Sequence, residues 1–327
     1  MTSSEDRPRL VVAGNASADL LLGPLDPWPR VGTEVLVERT AWRVGGALGN
    51  AALALAGLGV PATLVWDVGD DPLGTWLTTA LASAGDPPRV LAAPTSVTVA
   101  LNHPDGERTF VSHLGHLAAS EPDALAAAIE AATPGDLLLV GGSFLLPRWR
   151  PALARLLARA RARSLVTALD TGWPTEGWTD AIRGEVRAAL AHVDLFLPNL
   201  EEARGLLGAP DVTPHEALAA LDALTAGRTV LKLGPDGAAC LDGERAIVTP
   251  SARIEVADTV GAGDTFDAAL LAGLRDGLPC REAMALAVEV ASRAVASHPR
   301  RYPEWTEVRG RPRHATPAHA TAPGAVR

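Results

Sequence analysis

Six short apolar runs recur along the chain: RLVVAGN, ATLVWDVG, DLLLVGGS, SLVTALDT, VDLFLPN and RTVLKLG. Each is rich in Val or Leu and runs into Gly, Asp or Asn. Runs this short and this apolar read as strands buried on both faces. Between them lie Ala/Leu-rich helical stretches at 46–58, 74–84, 121–132, 149–163, 180–191, 200–207 and 214–225. The alternation predicts an α/β domain, a mainly parallel sheet with helices on both faces. Ligands of such sheets bind beyond the carboxyl ends of the strands. Gly14, Gly141, Asp170, Asn199 and Gly234 fall at those ends.

Two stretches break the pattern. Residues 32–44, GTEVLVERTAWRV, alternate apolar and polar, and so do residues 95–113 around a Pro-Asp-Gly turn. The second is a hairpin by its turn chemistry. Together they predict a small antiparallel sheet projecting from the main domain as a lid. The apolar face of such a sheet needs a partner, and a second subunit would supply one. The basic run RWRPALARLLARARARS places Leu153, Leu156, Leu157 and Ala160 on one face, as a solvated crossover helix does.

With 327 residues and 47% hydrophobic content, the chain can build a large core. Its net charge of −9 argues against nucleic acid or a membrane surface as the main partner. A small anion can still be held by local backbone dipoles. The two cysteines, Cys240 and Cys280, are far apart in sequence and read as buried, reduced thiols. The start MTSSEDRPRL does not read as a signal peptide, and no apolar run reaches about 18 residues. A cytoplasmic protein is expected.

The stretch DTVGAGDTFDAALLAGL, residues 258–274, carries the chemistry. Gly261, Ala262 and Gly263 form a flexible turn that opens a helix, so backbone N–H groups converge on an anion hole. Asp264 sits beside it. A base next to a phosphate cradle suits deprotonation of an alcohol and transfer of a phosphoryl group to it. An ordinary helix cap after a glycine turn is the alternative reading. The pattern is not a Walker motif, because no Gly-Lys-Ser/Thr follows.

RVGGALGNAALALAGLG, residues 43–59, precedes that stretch. In this order the two resemble the N- and C-terminal signatures of the ribokinase family, the PfkB carbohydrate and nucleoside kinases. The resemblance spans about residues 9–298. It implies a ribokinase-like three-layer α/β/α domain with a β-sheet lid, ATP and Mg2+ as cofactors, and a sugar or nucleoside as acceptor. The kinase domain is expected over 1–303, with lid segments at about 16–44 and 95–114. A Pro/Ala-rich, aperiodic tail, expected to be disordered, is placed at 304–327.

The resemblance makes Asp264 the catalytic base and Gly261, Ala262 and Gly263 the anion hole. Asp19, Gly45, Gly46 and Asn50 match its acceptor-binding residues, with Ser17 beside them. Asn199 and Glu202, in NLEE, match an Asn-x-x-Glu element in which Glu202 holds Mg2+ through water. Lys232, Gly234 and Gly237 lie in the segment expected to meet the nucleotide phosphates. Asp258 falls where many members bind a monovalent cation, K+ for example. A homodimer through the lid is the expected assembly.

The chain also departs from the pattern. Ser17 stands where ribokinase proper has Asn, and LLLVGGSF lacks its Glu. Glu289 falls where Asn often borders the adenine, and SHPRRYPEW lacks the usual glycine of the cation loop. These differences argue against ribose as acceptor and against dependence on potassium. His113 and His116 flank Gly115 at the lid hinge, where surface, hinge and substrate-contact roles are open. Trp42 suits either stacking on an acceptor or lid packing. The competing classes are a nucleoside kinase of the same fold and a non-catalytic sugar- or nucleotide-binding protein. A nicotinamide dehydrogenase is excluded by the single glycine in VVAGNASAD.

Overall fold

The computed structural model describes residues 7–103, 108–255 and 258–309. β1 (Leu10–Gly14) opens the main sheet, and β2 (Ser17–Gly23) and β3 (Arg39–Gly45) leave it as an antiparallel pair. α1 (Ala47–Leu58) returns the chain to β4 (Thr63–Val65) at one edge. β5 (Asp67–Gly69), α2 (Pro72–Leu81) and β6 (Arg89–Leu91) form a side unit with its own parallel strand pair. β7 (Val97–Asn102) and β8 (Arg108–His113) complete the lid, whose strand order is β3-β2-β7-β8.

From α3 (Asp123–Ala131) the chain winds regularly through β9 (Leu137–Gly141), α4 (Arg150–Ala162), β10 (Val166–Asp170) and α5 (Asp180–Leu190). It continues through β11 (Leu195–Phe196), α6 (Leu200–Leu207), α7 (Pro214–Asp222) and β12 (Arg228–Lys232). β13 (Ala238–Asp242) and β14 (Arg245–Thr249) then add two antiparallel strands at the far edge. α8 (Ala262–Arg275), α9 (Cys280–Val295) and α10 (Trp305–Arg309) close the described chain. The eight-stranded sheet has the order β14-β13-β12-β11-β10-β9-β1-β4.

The strands of the sheet centre are largely apolar because both faces are covered, and β1 and β9 are apolar throughout. Leu10 and Val12 of β1 enter one core with Leu48, Leu55 and Leu270. Val11 and Ala13 enter the other with Leu138, Leu156 and Phe196. Side chains alternate across a strand, so one run feeds two cores. The basic helix α4 turns Leu153, Leu156, Leu157 and Ala160 inward, while Arg150, Arg159 and Arg161 pair with acidic neighbours.

Several expected elements differ. The alternating stretch 32–44 is a strand only from Arg39 onward. Its partner β2 ends at Gly23, opposite Arg39, and Pro24 cannot extend the ladder. Residues 33–38 therefore have nothing to pair with, and Leu36 is exposed. The run ATLVWDVG breaks at Trp66 into β4 and β5, which belong to different sheets. The Pro-Asp-Gly turn lies outside the described residues, but the β7–β8 register on either side is antiparallel, as a hairpin requires. Trp305 and Val308 of α10 pack against the core, so the packed chain passes the boundary expected at 303. Residues 310–327 of the expected tail lie outside the described residues. The cysteines are free thiols, Cys240 buried and Cys280 half-buried, and each bears on the other's titration, Cys240 being pushed up and Cys280 down.

No helix among the described residues is long and apolar enough to cross a membrane. Leu270 of α8 is fully buried between the sheet and α9. Leu270→Ala should destabilise the fold by about 2–5 kcal/mol, seen as a lower midpoint in urea unfolding; an unchanged midpoint would contradict this packing.

Candidate active site

The carboxyl ends of β10, β11 and β12 bring a buried charge cluster together. Lys232 Nζ, at the end of β12, donates to Asp170 Oδ2 at 2.7 Å and to both Asp267 carboxylate oxygens at 3.1 and 3.2 Å. Burial alone would strip the ammonium of its proton, but Asp170 and Asp267 outweigh it and hold the Lys232 pKa above its ordinary value. Burial likewise opposes ionisation of Asp170, and Lys232 overcomes it, leaving Asp170 charged. The Asp267 pKa is pushed well up by burial, with Lys232 opposing the shift and Asp170 adding to it. Lys232 is thus committed to this cluster rather than extended toward a phosphate, as had been expected.

α8 begins one turn above. Its cap residue Gly261 is left-handed, with φ 76°, and no side chain caps the helix. The Gly263 and Asp264 amides of the first turn are then available to an anion, whereas the Ala262 N–H, expected to join the anion hole, donates to the Thr259 carbonyl at 3.1 Å. A Cβ on Gly261 would also lie 2.6 Å from the Asn50 side chain. Asn50 Nδ2 donates to Asp264 Oδ2 at 2.8 Å, joining the glycine signature at the start of α1 to the first turn of α8. Burial, reinforced by Asp170, raises the Asp264 pKa to about 6; Lys232, Asn50 and Arg300 pull the other way. Ala47, Gly141, Asp170, Asp264 and Asp267 line a narrow cleft between α1 and the strand ends.

The lid contributes Asp19. Its carboxylate is buried, accepts a hydrogen bond from Ser17 Oγ at 2.8 Å, and has its pKa raised to about 6 by burial. A Cβ on Gly45 would fall 2.0–2.1 Å from the Asp19 carboxylate atoms, so only glycine leaves that carboxylate its place. Gly46 follows as the cap residue of α1. In the lid register Asp19 stands opposite Arg43 and Thr98, and Leu21 opposite Ala41 and Ala100. That face looks onto the site. Leu20 stands opposite Trp42 and Val99, on the other face. Trp42 therefore points away from Asp19 and does not stack on an acceptor held there. His113, opposite Val97 and in register with Ala18, shares the outer face. His116 is buried, accepts from Ser96 N–H at 3.0 Å, and is pushed down to about 4 by burial, so it is a neutral structural group.

Asn199 and Glu202 form a capping box on α6: Asn199 Oδ1 accepts from Glu202 N–H and Glu202 Oε2 from Asn199 N–H, both at 2.9 Å. Burial, then the Asp170 charge, raises the Glu202 pKa to about 7. Such a buried carboxylate, facing a second one, fits a hydrated divalent cation, which would relieve their repulsion. No group of three or more metal-binding side chains converges among the described residues, so the fit is to a cation held through water. Gly234 opens a single turn after β12, whereas Gly237 lies against the Thr249 carbonyl of β14 and serves sheet packing. Glu289 is paired with Arg293 at 2.7 Å.

At Asp258 the expected monovalent cation meets different chemistry. Arg300 donates to the carbonyls of Asp258 and Val260 and lies 3.4 Å from Asp258 Oδ2, while Arg43 also pairs with that carboxylate. These oxygens are already engaged by guanidinium groups and do not fit a further cation.

Asp170 was legible only as one of the residues at ligand-binding strand ends, and Asp267, Arg43 and Arg300 were not singled out as site residues from the sequence. Asp267 had left a signal: a second acid three residues after Asp264, inside an otherwise apolar helix. Arg43 had left another, as the one charge beside the glycine pair.

A parallel sheet whose carboxyl ends carry a caged lysine, an uncapped helix start with a raised carboxylate and a β-lid bearing a second one defines a sugar-kinase type of site. The family model of pfkB family carbohydrate kinases matches residues 8–307, and the chain belongs to that family. It is 30% identical over 305 residues to a ribokinase of Arabidopsis thaliana, covering 88% of this chain and 76% of that one. The structure of Arabidopsis thaliana ribokinase complexed with ribose and ATP superposes with a TM-score of 0.74 at 26% identity, over 92% of this chain and 97% of that one. Phosphofructokinase-2 from Escherichia coli in complex with potassium shares the fold, with a TM-score of 0.73 at 21% identity over 93% and 97% of the two chains. The chain is an ATP-dependent carbohydrate kinase of the ribokinase-like α/β fold.

Gly45→Ala should displace the Asp19 carboxylate and raise the acceptor KM, leaving nucleotide affinity unchanged. Steady-state kinetics with each substrate varied in turn would check this, and an equal loss for both would contradict the placement of Asp19.

Proposed function

We propose that the chain passes the γ-phosphoryl group of ATP to a hydroxyl of a sugar or sugar-like acceptor in the cytoplasm, with Asp264 as general base. The observation that carries this reading is the hydrogen bond from Asn50 to Asp264. It joins the segment bordering the lid to the anion-binding end of α8, so acceptor cleft and phosphate site meet at one carboxylate.

Asp19 accepts hydrogen bonds from acceptor hydroxyls and fixes their orientation, with Ser17 holding one of its oxygens. Asp264, through the oxygen not held by Asn50, takes the proton of the attacking hydroxyl as the hydroxyl oxygen bonds to the γ-phosphorus. The bond from phosphorus to the bridging oxygen breaks, and ADP departs with its electron pair. The Gly261 and Gly263 amides face the charge on the transferring group. Mg2+ supplies further neutralisation of phosphate charge. Glu202 and Asp170 hold its water shell, Asn199 keeps Glu202 in place, and Gly234 borders the nucleotide. Lid closure over Asp19 excludes water from the transfer.

The outer lid face supports a homodimer. Trp42, Leu20, Val99 and Val111 form one row across all four strands, flanked by Leu22 and Leu101. Trp42 and Val111 are 48% and 57% exposed, and the same face of a second copy would cover them. Trp42→Asp with Val111→Asp should yield a monomer by light scattering. A wild type already monomeric at micromolar concentration would contradict the lid dimer.

ADP release across ketoses, aldoses, sugar acids, hexose phosphates and nucleosides tests the reaction and identifies the acceptor. On the productive acceptor, Asp264→Asn should lower kcat by about 10²–10⁴-fold. Wild-type kcat should rise with pH through about 6, where Asp264 ionises. Its pKa in the folded protein lies above the ordinary carboxylate range, so the stability it contributes is full at low pH and lost as pH rises through about 6. Asp264→Asn should therefore melt no lower than wild type at neutral pH. A variant with near-wild-type kcat would reduce Asp264 to a helix-end residue.

A further inference from the structure

We propose that Arg300 is a tethered cation that positions the anion hole, standing where the fold would otherwise require a soluble monovalent ion. The inference rests on the kinase reading of the site.

Three oxygens converge on the Arg300 guanidinium. Nη1 donates to the carbonyl of Val260, Nη2 donates to the carbonyl of Asp258 at 2.5 Å, and Asp258 Oδ2 lies 3.4 Å from Nη2. The side chains of Arg300 and Asp258 are only 12% and 13% exposed. Asp258 is itself fixed, since its Oδ1 accepts the Val260 N–H at 3.0 Å and its Oδ2 accepts from Arg43. Two carbonyls at alternate residues plus a carboxylate are an oxygen set suited to a partly dehydrated cation. Here a guanidinium meets them, and its planar fork matches the paired carbonyls.

The consequence for the site follows from peptide geometry. The peptide between Val260 and Gly261 is planar and trans, so its C=O and N–H point in opposite directions. When Arg300 holds the Val260 carbonyl on one side, the Gly261 N–H is aimed to the other. The αL conformation of Gly261 then carries the chain into α8 and to Asp264. Arg300 touches no reacting atom. It is a positioning residue that acts through the 258–261 backbone, and its charge also favours ionised Asp264. A second cation among the same oxygens would face both Arg300 and Arg43 at short range.

The test compares wild type, Arg300→Lys and Arg300→Ala in potassium chloride and in tetramethylammonium chloride at equal ionic strength. Tetramethylammonium is too bulky and too weakly polar to take carbonyl oxygens. Wild type should give the same kcat in both salts. Arg300→Ala should lose at least about tenfold in kcat in tetramethylammonium, as a misaimed oxyanion donor would, and recover when potassium or guanidinium ion is added. Arg300→Lys should keep more activity than Arg300→Ala without added ion. Thermal melting without substrates gives an independent readout: potassium should raise the midpoint of Arg300→Ala and leave wild type unmoved. Potassium activation of wild type would overturn the proposal. So would an Arg300→Ala variant whose rate and melting ignore both potassium and guanidinium, because a merely structural ion pair behaves that way. If no acceptor is turned over by wild type, the kinase reading fails, while the melting comparison still decides whether Arg300 replaces an ion.

Discussion

The Lys232 ammonium is the interaction on which the site depends. It lies at the base of a pocket, in direct contact with Asp170 and Asp267, and feels the charges of Glu202 and Asp264. Without it, four carboxyl groups would crowd a buried region at the ends of parallel strands. Burial would then neutralise them all. With it, the Asp170 pKa is held down although burial raises that of Asp267, and burial leaves Glu202 raised to about 7 and Asp264 to about 6. A site in that condition responds strongly to whatever enters. A divalent cation lowers the cost of ionising Glu202, and the same charge draws Asp264 toward its basic form.

The lid is fitted to this cluster by close approach. Asp19 lies against Gly45, and Asn50, five residues later, reaches Asp264 from the next turn of chain. One short segment thus contacts Asp19 at one end and Asp264 at the other. Displacement of the lid sheet would move Asp19, while α1 keeps Asn50 on Asp264 because Leu48, Leu55 and Leu58 are packed in the core. The site can therefore open toward acceptor without dismantling the base.

Most of the fold was legible because β1 and β9 are buried on both faces and so are apolar at every position, and β10 departs from this only at Thr167 and Asp170. Boundaries failed where tertiary pairing overrides local pattern. Residues 33–38 alternate as well as any lid strand, yet β2 stops before it can pair with them. The break at Trp66 reflects a change of sheet that no local feature announces. In the site, Asp264, Asp19, Asn50 and Glu202 were legible because their signatures are local. Lys232 was legible as a residue but not in its role, because its partners lie 62 and 35 residues away in the chain. Arg300 was hidden for the same reason, since its contacts are with backbone atoms about 40 residues earlier.

A guanidinium and a mobile ion differ in what they can enforce on such a loop. A spherical ion accepts oxygens from any direction, and the loop is ordered only while the ion is bound. The ordering free energy is then set by ion concentration. A guanidinium is attached to the fold, so the cost of bringing it to the carbonyls is met once, when the chain folds. Its donors also lie in one plane, which restricts the carbonyls of Asp258 and Val260 to directions that the fork can reach. The aim of the Gly261 N–H becomes a property of the tertiary structure, coupled to the packing of Trp305 and Val308 just beyond Arg300 rather than to the surrounding salt. The same step fixes a positive charge near Asp264, opposing Asp170 and the burial that raise its pKa. One side chain therefore bears both on the backbone that opens α8 and on the charge of Asp264.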